Sequence, residues 1–159
     1  MKTFAVYFSP NSYIANNGKV RDIGEVHIQL NDYAFPDKEW TDFGKVIVSW
    51  WMEAFRKLLS GEEKKVQCKF MDGNYRFDLE VTNSPGIWHI TLIREQGDSE
   101  EVENQGEIDA KQSTDSLLSV INEVKELYKK EGKAEYVKNA NDFIQRFLLT
   151  RQKNLTDAN

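Results

Sequence analysis

The sequence predicts an α+β fold: an antiparallel sheet of about six strands packed on one long central helix, with an antiparallel helix pair at the C-terminal end. Three observations carry this. Apolar and polar residues alternate from Phe4 to Phe8, from Val26 to Leu30, and again from Val66 to Leu92. Between these runs, Trp40 to Leu59 is heavily apolar at helical spacing. The last third carries two further helical stripes separated by Gly132. Runs of strands followed by runs of helices point to segregated rather than alternating elements.

Taken in order, Thr3–Phe8 is a strand with Phe4, Val6 and Phe8 on one side. Ser9–Asp22 is polar and holds Pro10, Asn16, Asn17 and Gly18, so it reads as a loop. Glu25–Leu30 is a second strand, with Val26, Ile28 and Leu30 inward and Glu25, His27 and Gln29 outward. Asn31–Phe35 leads into the central helix, which the pattern places at 37–60. Pro36 sets the entry angle and Asp37 is the candidate N-cap. Glu39 suits the positive end of the helix dipole. Trp40, Phe43, Ile47, Trp50 or Trp51, Ala54 and Leu58 form one face, and Val46, Val48, Met52, Phe55 and Leu59 widen it. A helix apolar on most sides is a buried one. Gly61 can take the left-handed conformation that ends it.

After Gly61 the period becomes two. Asp72-Gly73 is a strong hairpin signal. With these as the turn, Phe70 faces Tyr75, Cys68 faces Phe77 and Val66 faces Leu79, while Gln67 meets Asp78 and Lys65 meets Glu80. A slip of one residue would mix apolar and charged residues throughout. Pro85-Gly86 makes the next turn, pairing Leu79 with Leu92 and Val81 with Ile90. Trp88, Ile90 and Leu92 then face the core, and His89, Thr91 and Ile93 face away. Gly97-Asp98-Ser99 turns the chain once more into a polar edge strand, Glu101–Ala110.

Ser113 or Asp115 is the candidate cap of the next helix, whose stripe is Leu117, Val120, Ile121, Val124, Leu127 and Tyr128. The last helix shows Tyr136, Val137, Ala140, Phe143, Ile144, Phe147 and Leu148. Residues 1–151 are expected to form one domain and 152–159 a polar, frayed tail. A cystatin-like arrangement, with a curved sheet wrapped around the helix, is the alternative architecture.

The chain has 159 residues, 40% of them hydrophobic, and a formal net charge of −5. That balance argues against general nucleic-acid binding, which needs a basic footprint, and leaves room for a basic partner. Nothing reads as a signal peptide or a membrane span, so the cytoplasm is the expected location. Asn154-Leu155-Thr156 matches a glycosylation acceptor, which has no meaning without secretion.

Candidate chemistry is sparse. Cys68 is the one cysteine; the hairpin register puts it inside and His89 outside, so they do not form a thiol–imidazole pair. His27 and His89 show no metal-ligand spacing and are expected on the outer sheet face. There is no phosphate-cradling loop, and most of the isolated glycines suit turns or caps. No nucleophile motif occurs, and carboxylates are too abundant in an acidic chain to mark an acid–base pair. No cofactor or metal is implied. Trp40, Trp50, Trp51 and Trp88 fit a core better than a pocket. The charge map is more distinctive. Asp98, Glu100, Glu101, Glu103, Glu107 and Asp109 fall together with no lysine or arginine among them. They suit a solvated edge strand or an acidic docking surface for a cationic partner. The C-terminal helix pair leans basic, with Lys129, Lys130, Lys133, Lys138, Arg146, Arg151 and Lys153.

Phe35-Pro36-Asp37-Lys38-Glu39-Trp40-Thr41-Asp42-Phe43, Trp50-Trp51, Leu58-Leu59-Ser60-Gly61-Glu62-Glu63 and Phe70-Met71-Asp72-Gly73 together resemble a family of small bacterial immunity proteins. These belong to polymorphic-toxin and contact-dependent inhibition systems. The resemblance spans Phe35 to Leu79 and rests on fold-building residues. It implies a non-catalytic protein that binds and neutralises a cognate toxin domain by blocking its active surface. A basic toxin, such as a nuclease, would suit the acidic run from Asp98 to Asp109. The reading from another class is a small-ligand-binding or enzymatic domain with a pocket beside Trp50, Trp51 and Trp88.

Overall fold

The computed structural model describes residues 1–156. The architecture is α+β, but the strands form two four-stranded antiparallel sheets rather than one six-stranded sheet. The first contains β1 (Phe4–Phe8), β2 (Gly24–Leu30), β3 (Tyr33–Phe35) and β4 (Thr41–Asp42), with both β3 and β4 paired to β2. The second is a meander of β5 (Lys65–Lys69), β6 (Tyr75–Val81), β7 (Ile87–Gln96) and β8 (Ser99–Asp109). A parallel bridge between Lys2 and Ile108 brings the two sheets together. Three helices complete the fold: α1 (Gly44–Ser60), α2 (Ala110–Lys130) and α3 (Ala134–Arg151), followed by a π-type turn at Gln152–Thr156. The frayed tail expected at 152–159 is thus helical as far as Thr156, and its last residues lie outside the described part.

The central helix begins seven residues later than the apolar spacing suggests, at Gly44 rather than Asp37. Asp37 instead closes a turn, accepting the Glu39 N–H on its side chain and the Trp40 N–H on its carbonyl. Thr41 and Asp42 are extended and pair with Glu25 and Gly24. Trp40 and Phe43 stand three apart, the spacing of one helix face, but two residues of matching spacing do not fix the backbone between them. Backbone pairing decides it, because Val26 N–H donates to the Trp40 carbonyl. Gly61 ends α1 in the left-handed conformation, as expected.

The β5–β6 register is the expected one, from Lys65 opposite Glu80 to Lys69 opposite Arg76. Across the next turn the pairing is shifted: Leu79 faces Ile90 and Val81 faces Trp88. Ile87 N–H does donate to the Ser84 carbonyl around Pro85-Gly86. Thr82 and Asn83, however, leave the ladder, and the Thr82 hydroxyl donates to the Ile87 carbonyl at 2.8 Å. A shift of two keeps every side chain on its face, so Trp88, Ile90 and Leu92 are buried as expected. Ile93 is buried as well, although it faces away from the core.

The core lies where α1 meets both sheets. Trp51 contacts Phe70 and Phe77 edge-on, Phe55 contacts Trp88, and Phe4 of β1 reaches both Phe55 and Phe77. The adjacent tryptophans separate sharply: Trp51 is 0% exposed and Trp50 46%. Helix α2 covers the free edge of β1. The Val6 N–H donates to Ser116 Oγ at 2.9 Å, and Gln112 Nε2 donates to the Phe4 carbonyl at 2.8 Å. Neither expected cap starts α2. Asp109 does so, accepting the Gln112 N–H at 2.7 Å, while Ser113 is buried within the helix. On α3, among the described residues, only Phe147 is fully buried.

The segment Ser9–Asp22 is more structured than its composition suggests. Pro10–Tyr13 forms a 3-10 turn that inserts Tyr13, 0% exposed, against Phe8. Burial pushes the Tyr13 phenol above its ordinary range, with Asp42 and Glu25 adding to the rise against a lowering hydrogen bond at Gly44. A Cβ on Gly24 would lie 2.6 Å from the Tyr13 ring, and one on Gly44 would overlap its hydroxyl. These two glycines therefore make room for a side chain and are neither turn nor cap residues.

Candidate partner-binding face

Helix α1 covers one face of the β5–β8 sheet, and no described helix covers the other. Registers on the three ladders set out what that outer face presents. One row across the strands reads Lys65, Glu80, His89, Glu107. The next reads Gln67, Asp78, Thr91, Gln105, and the third Lys69, Arg76, Ile93, Val102. Glu95 and Glu100 face each other beyond them. Five carboxylates, Asp78, Glu80, Glu95, Glu100 and Glu107, thus share the face with Lys65, Lys69 and Arg76. Val102 is 51% exposed on the edge strand.

At the centre of the face Arg76 is buried under its own ion cluster. It donates to Asp78 at 3.0 Å, to Glu100 at 2.8 Å, and to Glu95. Three carboxylates around one guanidinium leave the cluster acidic. Because Arg76 and Asp78 are both nearly inaccessible, the pair is a fixed floor. The exposed carboxylates of Glu80 and Glu107 flank His89 on the same face.

The acidic run of β8 does not stay together. Glu100 and Glu107 belong to the outer face, and Asp98 stands exposed in the β7–β8 turn. Glu101 points to the opposite face and binds Arg94. Glu103 is the extra residue of a bulge, since Leu92 pairs with Asn104 and Ile93 with Val102. Its Oε2 is buried and has no hydrogen-bond partner among the described residues. Asp109 caps α2. A period-two run of consecutive acids must divide between two faces, and the bulge divides it further. Asp78, Glu80 and Glu95 join the face from neighbouring strands. Of these, Glu80 and Asp78 were legible from the β5–β6 register, whereas Glu95 became visible only with the β7–β8 pairing.

The other candidates fall into structural places. Cys68 is 1% exposed on the inner face, and burial, with Asp78 as a smaller cause, raises its thiol well above the ordinary range. Fewer thiolates mean a less reactive sulfur. His89 and His27 lie on different sheets. His27 is 3% exposed rather than solvated, stacked on the Tyr7 ring at 4.7 Å. Burial lowers its pKa, against the pull of Glu25 and Asp37. Among the described residues no group of three or more His, Cys, Asp or Glu is placed to hold a metal ion. No described helix is long and apolar enough to cross a membrane. Trp51 and Trp88 are core residues and line no described groove. Trp40 is partly buried and edge-on to Tyr75.

Comparison of the chain with protein-family models, with curated proteins and with solved structures finds no match.

Proposed function

We propose that this protein is a non-catalytic immunity protein of a bacterial toxin–immunity pair. It neutralises a basic toxin domain by covering the toxin's active surface with the outer face of the β5–β8 sheet. The observation that carries the reading is the form of that face: an open, helix-free sheet with an excess of carboxylates over cations. Its buried Arg76 cluster holds part of that charge in place without a partner. A preorganised acidic face loses little side-chain freedom when a cationic surface docks on it, and its charge accelerates the encounter. A nuclease must carry cations for phosphate, and carboxylates can occupy the same positions.

The residues behind the resemblance have structural duties that fit this division of labour. Trp40, Asp42, Phe70, Asp72 and Gly73 hold the inner junction together, so the face that meets the partner is free to vary. The experiment is co-purification with the product of the adjacent upstream gene, followed by its toxicity in cells with and without this protein. A stoichiometric complex and rescue from toxicity are expected. Absence of both removes the reading.

A further inference from the structure

We infer that a second site, remote from the outer sheet face, binds a small, uncharged, largely apolar molecule in the groove between α1, α2 and α3. The groove holds about 340 Å³, near the lower end of the roughly 300–1,000 Å³ typical of small-molecule sites. It exists because small side chains face each other across it. Val46 on α1 and Ala140 on α3 cannot close the gap, while Ile121 and Val124 of α2 and Phe143 of α3 give apolar walls. Asn139, exposed on α3, offers an amide to one polar group of a ligand, and Ser49 Oγ on α1, whose hydrogen goes to the Val46 carbonyl, can still accept.

The charges at one end specify neutrality. Lys45, only 4% exposed, donates to Glu131 at 2.7 Å and lies 3.7 Å from Asp22. Lys133 binds the second oxygen of Glu131 at 3.1 Å and lies over the Tyr136 ring. Two ammonium groups thus face two carboxylates. Burial alone would raise the Glu131 carboxyl, and the hydrogen bonds from Lys45 and Lys133 outweigh it and hold it ionised below the usual range. An anionic ligand would have to displace Glu131 from Lys45, and a cationic one would have to displace Lys45 from Glu131. Either exchange leaves a largely buried group with only its second, more exposed partner, Lys45 with Asp22 or Glu131 with Lys133. A neutral ring compound needs neither and gains from burial against Phe143 and Val124.

The test uses two fluorescent probes that share one aryl-amine body: neutral N-phenyl-1-naphthylamine and its anionic relative 8-anilino-1-naphthalenesulfonate. The folded protein should bind the neutral probe saturably at one site, and the sulfonate at least about tenfold more weakly. Ala140→Phe fills the groove and should weaken the neutral probe at least about tenfold without lowering the thermal melt. If that variant melts early, Ser49→Phe repeats the test from the opposite wall. Equal binding of both probes would overturn the inference, as would unchanged binding in the folded variants. A groove shaped for a partner's helix would give no saturable binding of so small a probe, and that result overturns it too.

Discussion

Asp42 accepts the backbone N–H of Asp72 at 3.1 Å, tying the strand before the central helix to the turn of the β5–β6 hairpin. The same carboxylate accepts the Trp40 indole N–H at 3.1 Å and the Phe43 N–H at 2.7 Å, and it is 1% exposed. Gly73 adjoins the Trp40 ring, where a Cβ would lie 3.1 Å from it. The stretches Trp40–Phe43 and Phe70–Gly73, distant in sequence, are one junction in space. Hydrogen bonds to a buried carboxylate are among the stronger kind. Asp42→Ala should cost about 2–4 kcal/mol and leave the indole unpaired. Asp42→Asn keeps an acceptor and should cost about half as much. Urea unfolding of the two variants checks the order.

The two adjacent tryptophans should differ as sharply in energy as in exposure. Trp51 fills the space between Phe70 and Phe77 and donates to the Lys69 carbonyl at 2.8 Å. Trp51→Ala should cost about 3–5 kcal/mol through the cavity it leaves. Trp50→Ala should cost less than about 1 kcal/mol. Equal losses in chemical denaturation would contradict the placement of α1.

Much of this was legible in the sequence, and the failures have physical causes. The β5–β6 hairpin was readable because both faces of a two-period pattern agreed at one register. The helix start was misread because Trp40 and Phe43 satisfy helical spacing while the backbone from Trp40 to Asp42 pairs with β2. Only a distant strand could reveal that. The β6–β7 shift came from the Thr82 hydroxyl standing in for a ladder bond, a side-chain detail that alternation does not record. Tyr13 looked like a loop residue because its partners, Gly24 and Gly44, are remote from it in sequence. For the candidate site, Glu100 and Glu107 do lie together on the outer sheet face, but the run of acids suggested one surface where strand geometry makes two. The motifs behind the resemblance cover the structural junction and include none of the outer-face residues, although the span they mark, Phe35 to Leu79, takes in β5 and most of β6.

The glycines around Tyr13 offer a direct check on that packing. Gly44→Ala should destabilise the fold by about 1–3 kcal/mol, because the added methyl overlaps the Tyr13 hydroxyl. In a Tyr13→Ala background the same change should be nearly neutral. A double-mutant cycle measures the coupling, and simple additivity would show that Tyr13 is not what Gly44 accommodates.

Stability should fall as the solution is acidified through the range where His27 would titrate in the unfolded chain. The folded state lowers its pKa below 6.5 through burial, so the unfolded chain takes up the proton first. At higher pH both states are neutral and there is no difference. Below about pH 6.5 protonation favours the unfolded state, until the folded pKa is passed. Denaturation midpoints at about pH 7 and about pH 5 should therefore differ less in His27→Gln than in the wild type. Identical pH dependence would remove His27 as a source.

Charge reversal on the outer sheet face tests the proposed function most directly. Glu80 and Glu107 flank His89 on that face, are exposed, and form no salt bridge among the described residues. Reversing them therefore leaves the Arg76 cluster intact. The measurement is the association rate of Glu80→Lys/Glu107→Lys with the toxin domain at low and high salt, beside a thermal melt. The account predicts an unchanged melt, slower association at low salt and a flatter salt dependence. A folded double variant that associates at the wild-type rate at both salt concentrations would contradict it.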